Sequence, residues 1–403
     1  MKHLAANENR LIDTIAQSVM LAQTERWVAI NSGTDNLPGL AAQAADLADA
    51  FAVLPGTIAL RDPAPVTVMN AAGREIPRVH GQHLLVRVRP DAPRRLLLTG
   101  HMDTVYPADH PFQQGRWIDS DHYNAPGAAD MKGGIAVMLA ALQAFEHSPA
   151  AASVGYDVLI NSDEETGSLS SSALIAELAQ HKYAALTYEP AALPDGTLAH
   201  ARGGSGNFSV AITGRSAHAG RNPQDGRNAI VAAAALTMML AGWRNENLSI
   251  NPARIDGGSG NNVVPDLAVL RFNIRPRTLE AAAEFRAAFA AMLEDVERGH
   301  EVTTQVHGGI TRPPKPVDAR AQALFDLVQR TGADLGQAIA WQPSGGVCDG
   351  NNIAACGVPV VDTLGVRGGR IHSAEEYLIP SSLAERAALS ALLLHRLATG
   401  DIL

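Results

Sequence analysis

Disulfides cannot hold this fold together: the 403-residue chain has two cysteines, Cys348 and Cys356, which could close at most one bond. So sparse a set is no disulfide framework, and free thiols suit a reducing compartment. Long apolar runs are missing too, which leaves no obvious membrane span. The opening stretch "MKHLAANENRLIDTIAQSVMLAQTERW" scatters Asn, Glu, Asp and Gln where a signal peptide needs an unbroken apolar core. It reads as an amphipathic amino-terminal helix, and the expected location is the cytoplasm. Positive charge is not in excess. The formal net charge of −9 argues against general nucleic-acid binding, which needs a basic footprint. There are no internal repeats, and no low-complexity tracts beyond an alanine enrichment that favours helix. The glycine-rich "PSGGVCDGN" lacks the Gly-Lys-Ser/Thr ending of a phosphate loop. With 46% hydrophobic and 18% charged residues, the chain has ordinary globular composition and length enough for two domains.

The element order is that of an α/β sheet interrupted once. "HLLVRVRP" alternates and is expected to be a strand with one solvated side, whereas "RRLLLTGHMD" reads as buried on both faces. "MKGGIAVMLAALQAF" is apolar all round, as a core helix would be. "YDVLINSDEETGS" is a buried strand ending in acids, "SSALIAELAQH" a helix, and "YAALTYEP" a strand ending in Glu189. Strands alternating with helices indicate a sheet covered on both faces, with ligands gathered at the carboxyl ends of its strands. The pattern changes after the glycine cluster in "HARGGSGNFSVAITG". Strands through "LAVLRFNIRP" and "EVTTQVHG" then alternate with the long helices "NAIVAAAALTMMLAGW" and "LEAAAEFRAAFAAMLEDVER". That is an antiparallel sheet with two helices on one face, an inserted α+β domain. "TRPPKPVD" is the expected return linker, and the tail resumes with the helix "ARAQALFDLVQRTG", the strand "VPVVDTLG" and a last helix from about Ser382. The expected boundaries are 1–202 and 314–403 for a catalytic domain and 203–313 for the insertion.

Several strand ends and the loops after them carry metal-ligand chemistry. His101 and Asp103 in "LTGHMD" are two apart, so an extended chain sends them to the same side. Alone, such a pair is more often a polar turn. But Asp130 in "GAADMKGG", Glu164 and Glu165 in "SDEETG", Glu189 in "YEP" and the late His372 in "GGRIHS" supply the same donor types. Two imidazoles, a bridging carboxylate and two further carboxylates suit a pair of borderline divalent cations, zinc first, with cobalt or manganese as alternatives. The adjacent glutamates can serve one site only if the backbone turns there, one binding metal and the other facing a bound water.

Taken together, "GHMDTV", "GAADMKGG", "SDEETGS", "YEP" and a late histidine resemble, in order and spacing, the co-catalytic dizinc metallopeptidases. That family includes glutamate carboxypeptidase, acetylornithine deacetylase, succinyl-diaminopimelate desuccinylase and aminoacylase. The resemblance runs over nearly the whole chain and implies a mixed-sheet catalytic domain with an inserted ferredoxin-like lid that also dimerises. It implies that Asp130 bridges two metals, that His101 and Glu189 complete one site, and that Glu165 and His372 complete the other. Glu164 would be the general base and Asp103 the partner orienting His101. In the lid, His218, Asn262 and Arg275 match positions that reach substrate in relatives, the histidine serving the partner's site across a homodimer. "PSGGVCDGN" resembles the family's substrate-carboxylate loop, and the Asp130–Met131 peptide is expected to be cis, as in relatives.

Such a set can cleave an amide. Two cations about 3.5 Å apart acidify a shared water, so hydroxide exists near neutral pH. Glu164 would take that water's proton and return it to the departing amine. The metal and His218 would stabilise the oxyanion, and Arg275 would hold the carboxylate of the amino-acid half. The expected activity is hydrolysis of a small N-acyl amino acid or peptide in the manner of glutamate carboxypeptidase. An N-acyl-amino-acid deacylase or a dipeptidase would use the same site. A thiol hydrolase built on Cys348 would instead be indifferent to chelators, and a non-catalytic binding protein would not need the base that is present.

Overall fold

The computed structural model describes residues 4–400. The outermost ends of the expected catalytic domain, residues 1–3 and 401–403, lie outside them, as does the start of the expected first helix. A six-stranded mixed sheet forms the centre of the outer domain, in the order Thr57–Arg61, His83–Val88, Val154–Asn161, Arg94–His101, Ala184–Thr187, Val360–Val361. The first two pairings are antiparallel and the last three parallel. Period-two alternation sends Leu96, Leu98, Val158 and Leu186 to one face, under the helices Gly133–Glu146 and Ser381–Thr399. Leu97, Leu159 and Ala185 go to the other, under Ser172–Ala179 and Asp349–Ala355. Helices thus cover both faces, and the parallel strands end together on one rim. Gly134 lets the first of these helices start directly against the sheet: a Cβ there would stand 2.0 Å from the carbonyl oxygen of Tyr188.

A second sheet of four antiparallel strands, in the order Leu248–Gly257, Leu267–Pro276, Ser205–Thr213, Thr303–Arg312, carries the helices Ala229–Trp243 and Leu279–His300. Between sheet and helices Phe208 stacks on Phe272 and Phe285 on Phe289, with centroids 4.9 and 5.4 Å apart. The longer helix starts at Thr278, whose hydroxyl accepts from the Ala281 N–H, and ends with Arg298 and His300 in its last turn, where a cation suits the helix dipole. A hairpin of the outer domain, Val66–Met69 with Glu75–Arg78, leans on this sheet through Met69, which packs with Ala211 and Val269.

Three sequence expectations are corrected. The opening segment is two helices, Ala6–Ile12 and Gln17–Val28, because the chain turns at Asp13–Ala16 and Thr14 bonds back to the Leu11 carbonyl. His83–Val88 has no solvated side: it lies inside the sheet, next to the edge strand Thr57–Arg61 and beneath the helix Leu37–Phe51. That helix and the strands between residues 57 and 78 were not anticipated, although Asn36 as a cap with Pro38 in the first turn is a helix-start signal. The Asp130–Met131 peptide is cis, as expected. Among the described residues only Ala128–Glu146 is long and apolar enough to cross a membrane, and it is 89% buried inside the protein.

Candidate metal centre

The candidate ligands come from four successive places on one rim. Arg94–His101 ends in His101, the loop before Gly133 presents Asp130, Val154–Asn161 leads into a single tight turn holding Glu164 and Glu165, and Ala184–Thr187 leads to Glu189. His372 arrives from the far end of the chain with a left-handed backbone, φ +62°. His101 Nε2 is 3.1 Å from Asp130 Oδ1 and 3.7 Å from Glu189 Oε2. His372 Nε2 is 3.3 Å from both Asp130 Oδ2 and Glu165 Oε2. The two oxygens of Asp130 therefore face two different imidazoles, each with its own glutamate. Ligand atoms of His101, Asp130 and Glu165 lie within 4.8 Å of one another, as do those of His101, Glu164 and Glu189.

The electrostatics are those of an acidic cluster that wants cations. Burial, reinforced by the Asp130 charge, pushes Glu165 up to about 8. Burial does the same to Glu189, also about 8, against the pull of His101. Burial opposes ionisation of Asp130 as well, yet the two imidazoles hold it well below the usual carboxylate range. Hydrogen bonds to Asp130 and Glu165 raise His372 to about 11. For His101, burial is outweighed by Glu189, Asp103 and Asp130, and the ring is raised well above its ordinary value. Glu165 Oε1 is buried without a hydrogen-bond partner. Two glutamates and two imidazoles arranged around Asp130 fit a pair of divalent ions, which would take the place of the protons this cluster otherwise retains.

The supporting groups are equally specific. His101 Nδ1 faces the main-chain carbonyl of Asp103 at 2.9 Å and its carboxylate Oδ1 at 3.5 Å, leaving Nε2 for the centre. The Asp103 carboxylate accepts from the Thr34 hydroxyl and from the N–H groups of Glu164 and Glu165, so it holds the glutamate turn more directly than the imidazole. Glu376 went unread in the sequence. It accepts from the N–H groups of Gly127, Ala129 and Asp130 and from the Tyr106 hydroxyl, and so shapes the loop that carries Asp130. Its only sequence signal was an acid four residues after His372. Arg312, which pairs with Glu164 at 2.5 Å, gives none, because it lies in "TRPPKPVD", which reads as a linker.

A cavity of about 350 Å³ opens over Asp130, Glu164, Glu165 and Glu189, walled by the glycine-rich loop through Cys348 and by Arg202. Beside it, about 610 Å³ of space at the end of the second sheet is lined by Arg202, Arg275, Arg277 and Lys315, with Glu246 as an acid among them. Arg275 thus faces a neighbouring space. His218 and Asn262 line neither cavity; they meet on a loop pair of the second sheet, where Asn262 accepts from the Ala219 N–H and His218 is exposed.

Comparison with known proteins gives this arrangement a context. A model of peptidase family M20/M25/M40 matches residues 97–396. Carboxypeptidase G2 of Pseudomonas sp. (strain RS-16) is 30% identical over 400 residues, covering 96% of this chain and 91% of that one. A succinyl-diaminopimelate desuccinylase of Psychrobacter arcticus is 29% identical over 330 residues, covering 75% and 78%. Among solved structures, a tripeptidase of Staphylococcus aureus superposes with a TM-score of 0.73 at 24% identity over 96% of this chain and 100% of that one, a likeness of fold.

Proposed function

Because the chain belongs to peptidase family M20/M25/M40, and is thereby a hydrolase of the metallopeptidase kind, we propose that it cleaves the amide bond of an N-acyl amino acid or small peptide at a residue with a free carboxylate. The observation that carries this reading is the division of Asp130 between His101 and His372, with Glu164 beside His101 and Glu189. Two divalent ions, zinc foremost, would be held by His101, Asp130, Glu165, Glu189 and His372, where they would polarise the amide carbonyl and acidify a water. Glu164 takes the proton of that water and hands it to the leaving nitrogen. Asp103 keeps both the imidazole and the glutamate turn in register. Arg275 receives the carboxylate of the amino-acid half from the neighbouring space, where a guanidinium can hold it by two bonds.

The same proposal treats residues 203–313 as a lid and pairs it with a second copy. Supporting this, the helix Ala229–Trp243 exposes Val231 and Met238, and Leu248–Gly257 lies at the sheet edge, both available to an equivalent surface. His218 and Asn262 would then serve the partner's cavity, the histidine stabilising the oxyanion. A cytoplasmic location is supported by the exposed free thiol of Cys356. A second reading, N-acyl-amino-acid deacylase, is favoured by the similarity to a desuccinylase. One experiment addresses both: the metal-depleted protein, reconstituted with zinc, cobalt or manganese, is assayed on N-acyl-glutamates, N-succinyl and N-acetyl amino acids and dipeptides. Turnover confined to peptides and aroyl amino acids favours the carboxypeptidase, turnover confined to small acyl groups the deacylase. Activity that survives complete metal removal would rule out both.

A further inference from the structure

Glu164 is held from outside its own turn. Arg312, the last residue of Thr303–Arg312, donates from Nη1 to Glu164 Oε1 at 2.5 Å and from Nη2 to the Glu164 main-chain carbonyl at 2.9 Å. Nη2 also donates to Ser168 Oγ at 2.8 Å, and that hydroxyl donates onward to Asp349 Oδ1. The Arg312 side chain is 3% exposed and that of Glu164 10%, so these bonds are largely shielded from water. A planar guanidinium that grips a carboxylate oxygen and the carbonyl of the same residue fixes its orientation in a way that a single charge does not. The second carboxylate oxygen of Glu164 accepts no hydrogen bond among the described residues, which leaves it to face the cavity chemistry.

The origin of this arginine matters as much as its reach. Arg312 stands opposite Ser205 in the second sheet. Three residues on, Lys315 and Arg202 exchange main-chain hydrogen bonds at 2.9 and 3.0 Å, where the two crossing segments return to the outer domain. The glutamate is therefore pinned from the root of the insertion.

We propose that Arg312 is the positioning residue of Glu164, setting the orientation in which that carboxylate accepts the water proton and tying it to the root of the inserted domain. The inference rests on the reading of Glu164 as the base. Its test is a double-mutant cycle in the full-length, zinc-reconstituted protein, with metal content and zinc affinity measured alongside kinetics. Arg312→Met should lower kcat about 100-fold, the scale of a misplaced catalytic group, while KM stays within about threefold and both ions remain bound. Arg312→Lys should recover about tenfold of that loss, since it restores charge without the second bond. In single-turnover assays on a Glu164→Gln background, adding Arg312→Met should change the residual rate by less than about threefold, because groups acting as one unit do not multiply. Full multiplication of the two losses, loss of metal, or an effect on KM alone would overturn the proposal. If Arg312→Met does not fold, Arg312→Lys with and without Glu164→Gln makes the same comparison. Wild-type turnover in Glu164→Gln alone would instead remove the base assignment, whereas an inactive Glu164→Gln beside a fully active Arg312→Met would remove only the role of Arg312.

Discussion

The outer domain buries most of its candidate site residues, with His372 at 54% side-chain exposure the exception, whereas the insertion exposes its own. His101, Asp103 and Asp130 are at most 6% exposed, and each touches several polar groups of the centre. His218 and Arg275 are exposed, and among the described residues each makes one side-chain hydrogen bond, with the Gly220 N–H and with Asn273 Oδ1. Poor packing is not the cause, since four of the chain's eight phenylalanines stack in the core of the insertion. The insertion separates a dry apolar core from residues that ride on its rim, whereas in the outer domain His101 ends a buried strand and Asp103, Glu164, Glu165 and Glu189 follow strand ends by a few residues. A cluster held by many partners is preorganised. A residue with one partner can be repositioned by a ligand or a second subunit.

Substitution inside the preorganised cluster should have the largest effects. Glu164→Gln is expected to lower kcat at least about 1,000-fold with two ions still bound, since the side chain keeps its size and loses its proton affinity. Glu165→Gln should instead lose zinc, because it removes an anionic ligand from beside His372. Zinc analysis by plasma emission, run beside the kinetics, separates the two. Equal metal loss in both variants would mean that ligand and base are wrongly assigned.

On the rim, effects should be smaller and should depend on assembly. His218→Ala is expected to slow kcat about 100-fold, the cost of one oxyanion donor, with metals intact. If that histidine serves the partner's cavity, mixing inactive Glu164→Gln subunits with His218→Ala subunits restores one working site in each heterodimer. Verified heterodimers without recovered activity would return His218 to its own chain, or to no role. Smaller again, Arg275→Ala should raise KM about 10- to 100-fold, as loss of a charge-assisted bond to the substrate carboxylate would, and an amidated substrate should lose its sensitivity to this substitution.

The same contrast explains what could be read from the sequence. Strand ends announce themselves: an apolar run such as Leu96–Leu98 followed by His101 and Asp103 carries its burial and its chemistry in one stretch, and Glu164, Glu165 and Glu189 are legible in the same way, whereas Asp130 and His372 sit in loops and are legible only through their donor type and the family resemblance. Groups that act through backbone N–H donors leave no such mark. Glu376 looks like one more surface acid until its four donors are seen, and Arg312 looked like linker because its partner is 148 residues away in the chain. The hairpin Val66–Arg78 was missed for a related reason: its strands are mostly exposed, and only Met69 is buried, against the insertion.

The smallest expected effect tests the contrast on stability itself. Glu165 and Glu189 are raised to about 8, burial being the first cause in each, from an ordinary value of 4.5. The folded, metal-free protein therefore binds more protons than the unfolded chain between those values, and the stability present below about pH 4.5 is lost as pH rises through 8. His372, raised to about 11 from 6.5, adds to the loss with the same sign above its ordinary value. Asp130 is depressed and acts in the opposite sense, but only in acid, below its ordinary 3.8. From pH 5 to pH 8 the metal-free protein should thus lose on the order of several degrees in Tm. Zinc bound at these residues would replace those protons and should flatten the slope. Calorimetry of both forms across this range checks the sign. Hydrogen exchange, corrected for the intrinsic pH dependence, locates it: Arg94–His101 and Val154–Asn161 should lose protection, while Ser205–Thr213 and Leu267–Pro276, packed on phenylalanine, should not. Equal loss in both sheets would mean that the two regions open as one cooperative unit, and that the division between a polar, metal-dependent rim and an indifferent apolar insertion does not extend to stability.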